Sequence, residues 1–291
     1  MTLATVLRVT SLYVLGRGLV DAAAPVLRAD DLGVLRGDGL FETLRVQGRR
    51  AVLLDAHLER MERGAERIGL AVPDRSDWSV AAGAAITAYG EPDGLLKLVC
   101  TRGPADDAPV AYAMVSAIPA ITVRGREVGV HALTLSLGVG SGTRAGAPWL
   151  LGGVKTTSYA VNMAALREAE ARGFDDAIWV GAGGEVLEAP TANVGWVVGG
   201  AVVTPPAEEV GVLRGTTLDA LVSAARLDGS LAIEVRAGHV DELRAADEVF
   251  LTSSVRGVAP VLTLDGSPVG DGAVGPVTAA LRTAYEEICR Q

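Results

Sequence analysis

Lysine is nearly absent from this chain of 291 residues: of 26 basic side chains only Lys97 and Lys155 are lysines, and the rest are arginines. Basic residues are also outnumbered, 26 against 35 acids for a net charge of −9, and they form no run. Nucleic-acid binding needs clustered cations to neutralise phosphates, so a nucleic-acid partner is excluded. Cysteine is scarce too. Cys100 and Cys289 lie far apart in apolar or helical contexts, which leaves no disulfide framework and no metal cluster. No apolar run reaches the length of a membrane span, and the N-terminus has no basic segment followed by an apolar core, so the expectation is a soluble, unprocessed, cytoplasmic protein without a membrane partner. There is no internal repeat and no low-complexity tract. What remains is 49% hydrophobic and 21% charged, the balance of a packed globular protein with room for two domains.

One of the two lysines has an unusual address. Lys155 sits in the uncharged stretch Gly152-Gly153-Val154-Lys155-Thr156-Thr157-Ser158-Tyr159-Ala160-Val161-Asn162, a glycine-flanked turn leading into a helix. Lysine offers what arginine cannot, a primary amine that can lose its proton, and desolvation lowers its pKa enough to make it a nucleophile or a Schiff-base partner. The plain alternative is a surface residue at a helix start in an arginine-preferring sequence.

Periodicity organises the rest. Short apolar runs around Gly16-Arg17-Gly18 predict a small hairpin, and Leu40–Val46 with Ala51–Leu54 predicts a second one turning at Gln47-Gly48-Arg49-Arg50. Asp55 is a candidate N-cap for a helix over 56–68, whose apolar face repeats at Leu58, Met61, Ala65 and Ile68 before Gly69 stops it. A helix over 78–89 and strands at 95–101 and 110–118 complete an α+β unit. Residues 1–118 are expected as a small N-terminal domain, 119–128 as a proline- and glycine-interrupted linker, and 129–291 as a larger C-terminal domain. In the latter, a strand at 133–137 precedes a Gly-, Ser- and Arg-rich stretch (138–147) that fails the dinucleotide-binding pattern. A helix follows at 159–172, then short strands at 177–180, 186–187, 194–198 and 201–204 with turns at Gly183-Gly184 and Gly199-Gly200. Helices from Gly215 to Ala225 and from 274 to 289 flank a strand at 248–251.

Four features suggest an anionic cofactor. Gly215-Thr216-Thr217 places free backbone N–H groups at a helix start, which favours a phosphate. Thr252-Ser253-Ser254 adds hydroxyls at a strand end. Glu188, ending the run Val186-Leu187-Glu188, is a carboxylate that, if half-buried, needs a cation or a protonated ring nitrogen; the other reading is a strand-end acid in water. Arg60 lies on the first helix, where an arginine is commonly solvated.

Together the pattern resembles the fold-type IV, or class IV, family of pyridoxal-phosphate enzymes, which includes branched-chain aminotransferases, D-amino-acid aminotransferases and 4-amino-4-deoxychorismate lyases. The resemblance covers nearly the whole chain. It is carried by Phe41-Glu42-Thr43-Leu44-Arg45 after Gly37-Asp38-Gly39, by His57-Leu58-Glu59-Arg60, and by Lys155 followed by Glu188-Ala189-Pro190-Thr191-Ala192-Asn193. Leu213-Arg214-Gly215-Thr216-Thr217 and Asp247-Glu248-Val249-Phe250-Leu251-Thr252-Ser253-Ser254 continue it. It implies the two-domain, D-amino-acid-aminotransferase-like α+β or α/β fold and a homodimer that acts on a small-molecule substrate, with the cofactor between the domains. It also implies that Lys155 carries the cofactor and moves the proton, that Glu188 holds the pyridine nitrogen protonated, and that Arg60, Thr216, Thr217 and Ser254 bind the phosphate. Tyr159 is the implied partner of the ring's phenolic oxygen, although it stands one place closer to the lysine than in the aminotransferases.

Among family members, Gly94-Leu95-Leu96-Lys97-Leu98-Val99 before Thr101-Arg102-Gly103 looks most like the aminodeoxychorismate lyases. Pro104-Ala105-Asp106-Asp107-Ala108 lacks the arginine and histidine of the D-amino-acid enzymes, and the Arg-Pro pair of the branched-chain enzymes is missing, while Asp106-Asp107 departs from the loop of some lyases. The expectation is a lyase giving 4-aminobenzoate and pyruvate for folate biosynthesis, with Phe41, Thr43 and Lys97 toward the substrate. A transaminase of D-amino or branched-chain amino acids is the alternative within the family, and a non-catalytic protein keeping the fold is the alternative outside it.

Overall fold

A computed structural model describes residues 9–229 and 231–291; the first eight residues of the expected N-terminal domain lie outside the described residues. Strands β1 (Val9–Val14) and β2 (Gly18–Val20) form the expected hairpin, and helix α1 (Leu32–Arg36) precedes β3 (Gly39–Gln47) and β4 (Arg50–Ala51). Helices α2 (Leu54–Ile68) and α3 (Arg75–Tyr89) lead to β5 (Gly94–Thr101) and β6 (Val110–Ser116). These strands make one antiparallel sheet in the order β2-β1-β6-β5-β3-β4. Side chains alternate across a strand, so Leu40, Leu44 and Val46 of β3 join Leu58, Met61 and Ala65 of α2 and Trp78 of α3 in one buried core. Gly69 ends α2 in the left-handed conformation, φ 59°.

The second hairpin strand is shorter than expected. It stops at Ala51 because Leu53 takes a left-handed turn, φ 55°, and α2 begins at Leu54. Asp55 therefore lies in the first turn, not at the cap, where its charge still favours the helix's positive end. The stretch read as an interrupted linker contains a helix, α4 (Ala120–Glu127), whose Gly125 sits against Val130 and Arg256.

The second sheet begins with β7 (Val130–Ser136). Two short helices, α5 (Ser141–Gly146) and a 3-10 turn (Pro148–Leu150), precede α6 (Ala160–Ala171), then come β8 (Asp176–Val180), β9 (Asn193–Val198) and β10 (Ala201–Thr204). Residues 186–187 make one isolated bridge, Val186 with Val180, and no strand of their own. Helices α7 (Ala207–Val210) and α8 (Thr216–Asp228), strand β11 (Ile233–Val235), helix α9 (Val240–Arg244), and strands β12 (Glu248–Ser253) and β13 (Gly257–Leu264) lead to the closing helix α10 (Pro276–Arg290). The order is β11-β10-β9-β12-β13-β7-β8, with a short β14 (Ser267–Pro268) beside β13. Parallel pairs at β10/β11, β13/β7 and β7/β8 make it mixed.

Central strand β12 shows why these segments read as apolar runs. Val249 and Leu251 pack with Trp196 and Val261 on one face, and Phe250 packs with Leu221, Leu281 and Tyr285 under α8 and α10 on the other. A strand covered on both sides is apolar at nearly every position. Gly199 and Gly200, both at positive φ (57° and 82°), close the β9–β10 hairpin as expected. No helix among the described residues is long and apolar enough to cross a membrane.

Candidate active site

The lysine loop is stitched to the first sheet. Leu40 of β3 forms a bridge with Thr156, the Phe41 amide donates to the Lys155 carbonyl (3.1 Å), and the Thr157 amide donates to the Gly39 carbonyl (2.9 Å). The hydroxyls of Thr157 and Ser158 both donate to the Gly37 carbonyl, at 2.8 and 3.0 Å. Gly37 can sit under them because it is left-handed (φ 66°), and any Cβ there would strike Ser158.

Lys155 Nζ donates to the Tyr159 hydroxyl (3.1 Å) and stands 4.5 Å from the centroid of the Phe41 ring, which meets the Tyr159 ring edge to face. Burial, reinforced by the Arg60 cation, pushes the Lys155 amine down to about 8. The Tyr159 phenol moves the other way, raised first by burial and then by Glu188. A partly neutral amine is the form that can act as base or nucleophile.

This amine opens into a cavity of about 740 Å³. All ten residues singled out from the sequence line it: Phe41, Thr43, Arg60, Lys97, Lys155, Tyr159, Glu188, Thr216, Thr217 and Ser254. On its sheet wall Thr43 lies directly opposite Lys97 in register, and Lys97 Nζ is 5.5 Å from the Phe41 ring. Burial first, and Lys155 second, lowers the Lys97 amine.

At one end stands Glu188, only 8% exposed, so the reading of a strand-end acid in water fails. Its Oε2 accepts from the Leu213 amide (3.0 Å), and Arg144 Nη1 lies 3.5 Å from Oε1. Burial raises its pKa against the opposing pull of Arg144 and that amide. Arg144, on α5, was not legible as a site residue: it stands in the Gly- and Ser-rich stretch, which has no apolar period.

At the other end α8 points its first turn into the cavity. Its cap residue Gly215 supplies no side-chain cap, so the amides of Thr216 and Thr217 have no acceptor within the helix. A Cβ on Gly215 would collide with Asn193 Oδ1, whose amide nitrogen holds the Leu213 carbonyl (2.6 Å). Arg60 brings a guanidinium from the other sheet: Nε and Nη2 donate to the two oxygens of Glu42 (2.8 and 2.6 Å), and Nη1 donates to the Arg214 carbonyl (3.0 Å). Tyr285 of α10 braces the floor, donating to the Ser254 carbonyl (2.9 Å) and accepting from Thr217 Oγ1 (3.3 Å).

Glu42 and His57 are the residues whose place sequence reasoning missed. Both are fully buried, with Glu42 Oε2 2.6 Å from His57 Nδ1. Burial alone would raise the Glu42 carboxyl, but Arg60 and His57 outweigh it and hold it well below the usual carboxylate range. A signal was present. Glu42 falls on the inward face of β3 between Leu40 and Leu44, and a charge at a core position requires a buried partner; His57 and Arg60, three apart on α2, share the face that supplies it.

The donor set fits an elongated molecule with an anionic group at one end and a protonatable ring nitrogen at the other. Cationic and N–H donors surround the α8 end, a carboxylate waits at the far end, and the amine lies between them. One buried atom on the cavity wall, Thr252 Oγ1, has no hydrogen-bond partner among the described residues.

Known proteins agree. The amino-transferase class IV profile matches residues 39–264. The bifunctional aminodeoxychorismate lyase / D-amino acid transaminase of Mycobacterium tuberculosis is 39% identical over 274 residues, covering 90% of this chain and 94% of that protein. A hypothetical aminotransferase from M. tuberculosis in its PLP-bound form superposes with a TM-score of 0.91 at 37% identity, over 96% of this chain and 98% of the other. A fold IV-transaminase from Curtobacterium pusillum gives 0.87 at 34% identity, over 97% and 99%. Fold and site define a fold-type IV pyridoxal-phosphate enzyme. The chain belongs to the amino-transferase class IV family, and its cofactor is pyridoxal 5′-phosphate.

Proposed function

We propose that this protein is a cytoplasmic, homodimeric aminodeoxychorismate lyase, releasing 4-aminobenzoate and pyruvate from 4-amino-4-deoxychorismate on the folate route. The observation that carries the choice within the family is Lys97: a lowered lysine amine on the cavity wall opposite Thr43, in a sequence whose 104–108 loop carries no arginine or histidine for an amino-acid carboxylate. The bifunctional mycobacterial relative supports the same reading, and its second activity supports D-amino-acid transamination as the alternative.

In this reading residues 1–118 and 129–291 are two domains that share the site across the 119–128 connection. Arg60, the first-turn amides of Thr216 and Thr217, and Ser254 hold the cofactor phosphate. Glu188 would face the pyridine nitrogen and favour its protonated form, with Arg144 opposing the rise that burial imposes on the carboxyl. Bound there, pyridoxal phosphate supplies the electron sink that makes the substrate's ring C–H acidic. Lys155 Nζ would hold the cofactor at rest and, once free, take that proton, a task suited to an amine lowered to about 8. Tyr159 orients Nζ through their 3.1 Å hydrogen bond. Phe41 closes the cavity around the amine, while Thr43 and Lys97 hold the substrate's carboxylates. Departure of the enolpyruvyl group leaves an aromatic ring, and the reaction balances without a keto-acid acceptor.

That stoichiometry gives the test. With aminodeoxychorismate alone, the enzyme is expected to release 4-aminobenzoate and pyruvate over many turnovers, read by a coupled pyruvate assay. No product, alongside brisk transamination of D- or branched-chain amino acids with 2-oxoglutarate, would replace the lyase by a transaminase.

A further inference from the structure

Behind the hydroxyls of the anion-binding end lies a buried relay. His57 Nε2 is 3.0 Å from Ser254 Oγ and 3.1 Å from Thr216 Oγ1, and the two hydroxyls are 3.3 Å apart. On the ring's far side Nδ1 meets the ionised Glu42 at 2.6 Å, so Nδ1 carries a proton and donates it there. This settles what Nε2 can do. In a neutral ring Nε2 is a single lone pair, and one of the two hydroxyls must turn its only proton toward it. In the imidazolium form Nε2 donates instead, and both hydroxyl protons are free to face the cavity.

An anion needs donors, and a dianion adds negative charge beside a ring that has Arg60 and Lys155 near it as well as Glu42. The charged groups around His57 are Glu42 from β3, Arg60 one turn along α2, and Lys155 from the lysine loop; α8 and β12 present the hydroxyls of Thr216 and Ser254. With no anion in place, burial first, then Arg60 and Lys155, lowers the ring's pKa against Glu42 and so favours the neutral ring. Hydrogen bonding and charge both reverse that preference when a dianion arrives.

We infer that His57 is the positioning residue of the phosphate site: seating a phosphate-type dianion draws one proton from solvent onto His57 Nε2, which turns the Thr216 and Ser254 hydroxyls toward the anion. This rests on the reading of Arg60, Thr216, Thr217 and Ser254 as the phosphate site. The sign follows from linkage. A ring whose pKa rises on binding makes affinity fall as pH rises between the free and bound values, by up to about tenfold per pH unit.

Sulfate is the probe, because it stays a dianion across neutral pH and takes up no proton itself. The chain has three histidines, His57, His131 and His239, so in cofactor-free full-length protein labelled at histidine with ¹³C and ¹⁵N the His57 ring signals are assigned by comparison with His57→Gln. At pH about 8, saturating sulfate is expected to move them from the neutral Nδ1–H form to imidazolium. The sulfate association constant is expected to fall as pH rises above neutrality, by up to about tenfold per unit, and to fall less steeply in His57→Gln. Lys155 titrates in the same window, so the profile is repeated in Lys155→Met, where the slope persists. A His57 ring that stays neutral with sulfate bound, or a slope that vanishes in Lys155→Met, overturns the inference and leaves the phosphate site standing. If sulfate does not bind, or binds Arg60→Met as tightly as wild type, the phosphate-site reading itself falls. The protonation state of the ring is read in wild-type protein, whose folding no substitution disturbs.

Discussion

Phe41 holds Lys155 twice: its amide donates to the lysine carbonyl at 3.1 Å, and its ring lies 4.5 Å from the lysine Nζ. The backbone half of that grip survives any change of the lysine side chain. Lys155→Ala is therefore expected to fold and to keep cofactor through the phosphate contacts, while turnover drops by several orders of magnitude because the covalent link and the proton carrier are both gone. Borohydride reduction of the cofactor-loaded wild type, followed by peptide mapping, should label Lys155. A label on Lys97 would reassign the reactive amine.

The Lys155 amine is held near 8 by burial and by Arg60. In cofactor-free protein, acetylation followed by mass spectrometry should show this site half-reactive near that pH, against about 10.4 for an ordinary lysine. Since the folded value lies below the unfolded one, the native state binds fewer protons between the two, and Lys155 makes stability rise with pH across that window. Arg60→Met should shift the reactivity midpoint upward. An unchanged midpoint would mean that the guanidinium does not set the amine.

Glu188 tests charge against shape. Glu188→Gln retains hydrogen bonding but cannot favour a protonated ring nitrogen, so turnover should fall while cofactor binding largely survives. Arg144→Met leaves the carboxylate in place and removes the cation that opposes its burial. The acid limb of the pH–rate profile should then move to higher pH, because Glu188 needs a higher pH to ionise. Wild-type rates in both variants would make Glu188 a structural acid.

Lys97→Met addresses specificity. A charge-assisted contact contributes about 1.5–3 kcal/mol, so kcat/KM for aminodeoxychorismate should fall by roughly ten- to a hundredfold. Transamination of D-alanine, if present, should change much less. Equal losses on both substrates would show that Lys97 acts on the site as a whole.

Gly39 tests the seam between the lysine loop and the first sheet. A Cβ there would stand 2.7 Å from the Cys100 carbonyl and 3.0 Å from Thr101 Cα, both backbone atoms that cannot swing aside. Gly39→Ala should cost about 1–3 kcal/mol, the range for overpacking, and lower the thermal midpoint. It should also disturb the Thr157 hydrogen bond that registers Lys155. A variant as stable and active as wild type would show that the seam gives way easily.

How much could be read beforehand depended on whether a residue's surroundings lay near it in the chain. Lys155 between glycines and a helix start, Thr216 after Gly215, and Gly69 at a helix end carry their signal locally. Arg144, Glu42 and His57 do not: Arg144 meets Glu188 across 44 residues, and the Glu42–His57–Ser254 relay forms only when two sheets come together. Helices α4 and α5 were missed for a different reason. They have no apolar stripe, burying one glycine and no residue respectively, so their hydrophobic pattern is silent. The left-handed Leu53 was also invisible, since leucine rarely takes that conformation.

Both lysines of the chain line the same cavity and both are half-buried. Away from that cavity the described residues, 9–229 and 231–291, offer no side-chain amine to resins, crosslinkers or dyes that couple through lysine, and a lysine modified by them would report on the pocket. An endoprotease that cleaves after lysine meets the same barrier. It should spare the folded protein and cut the unfolded chain into three pieces, 1–97, 98–155 and 156–291, so the appearance of those fragments over time would serve as a clock for unfolding, and cofactor in the pocket should slow it.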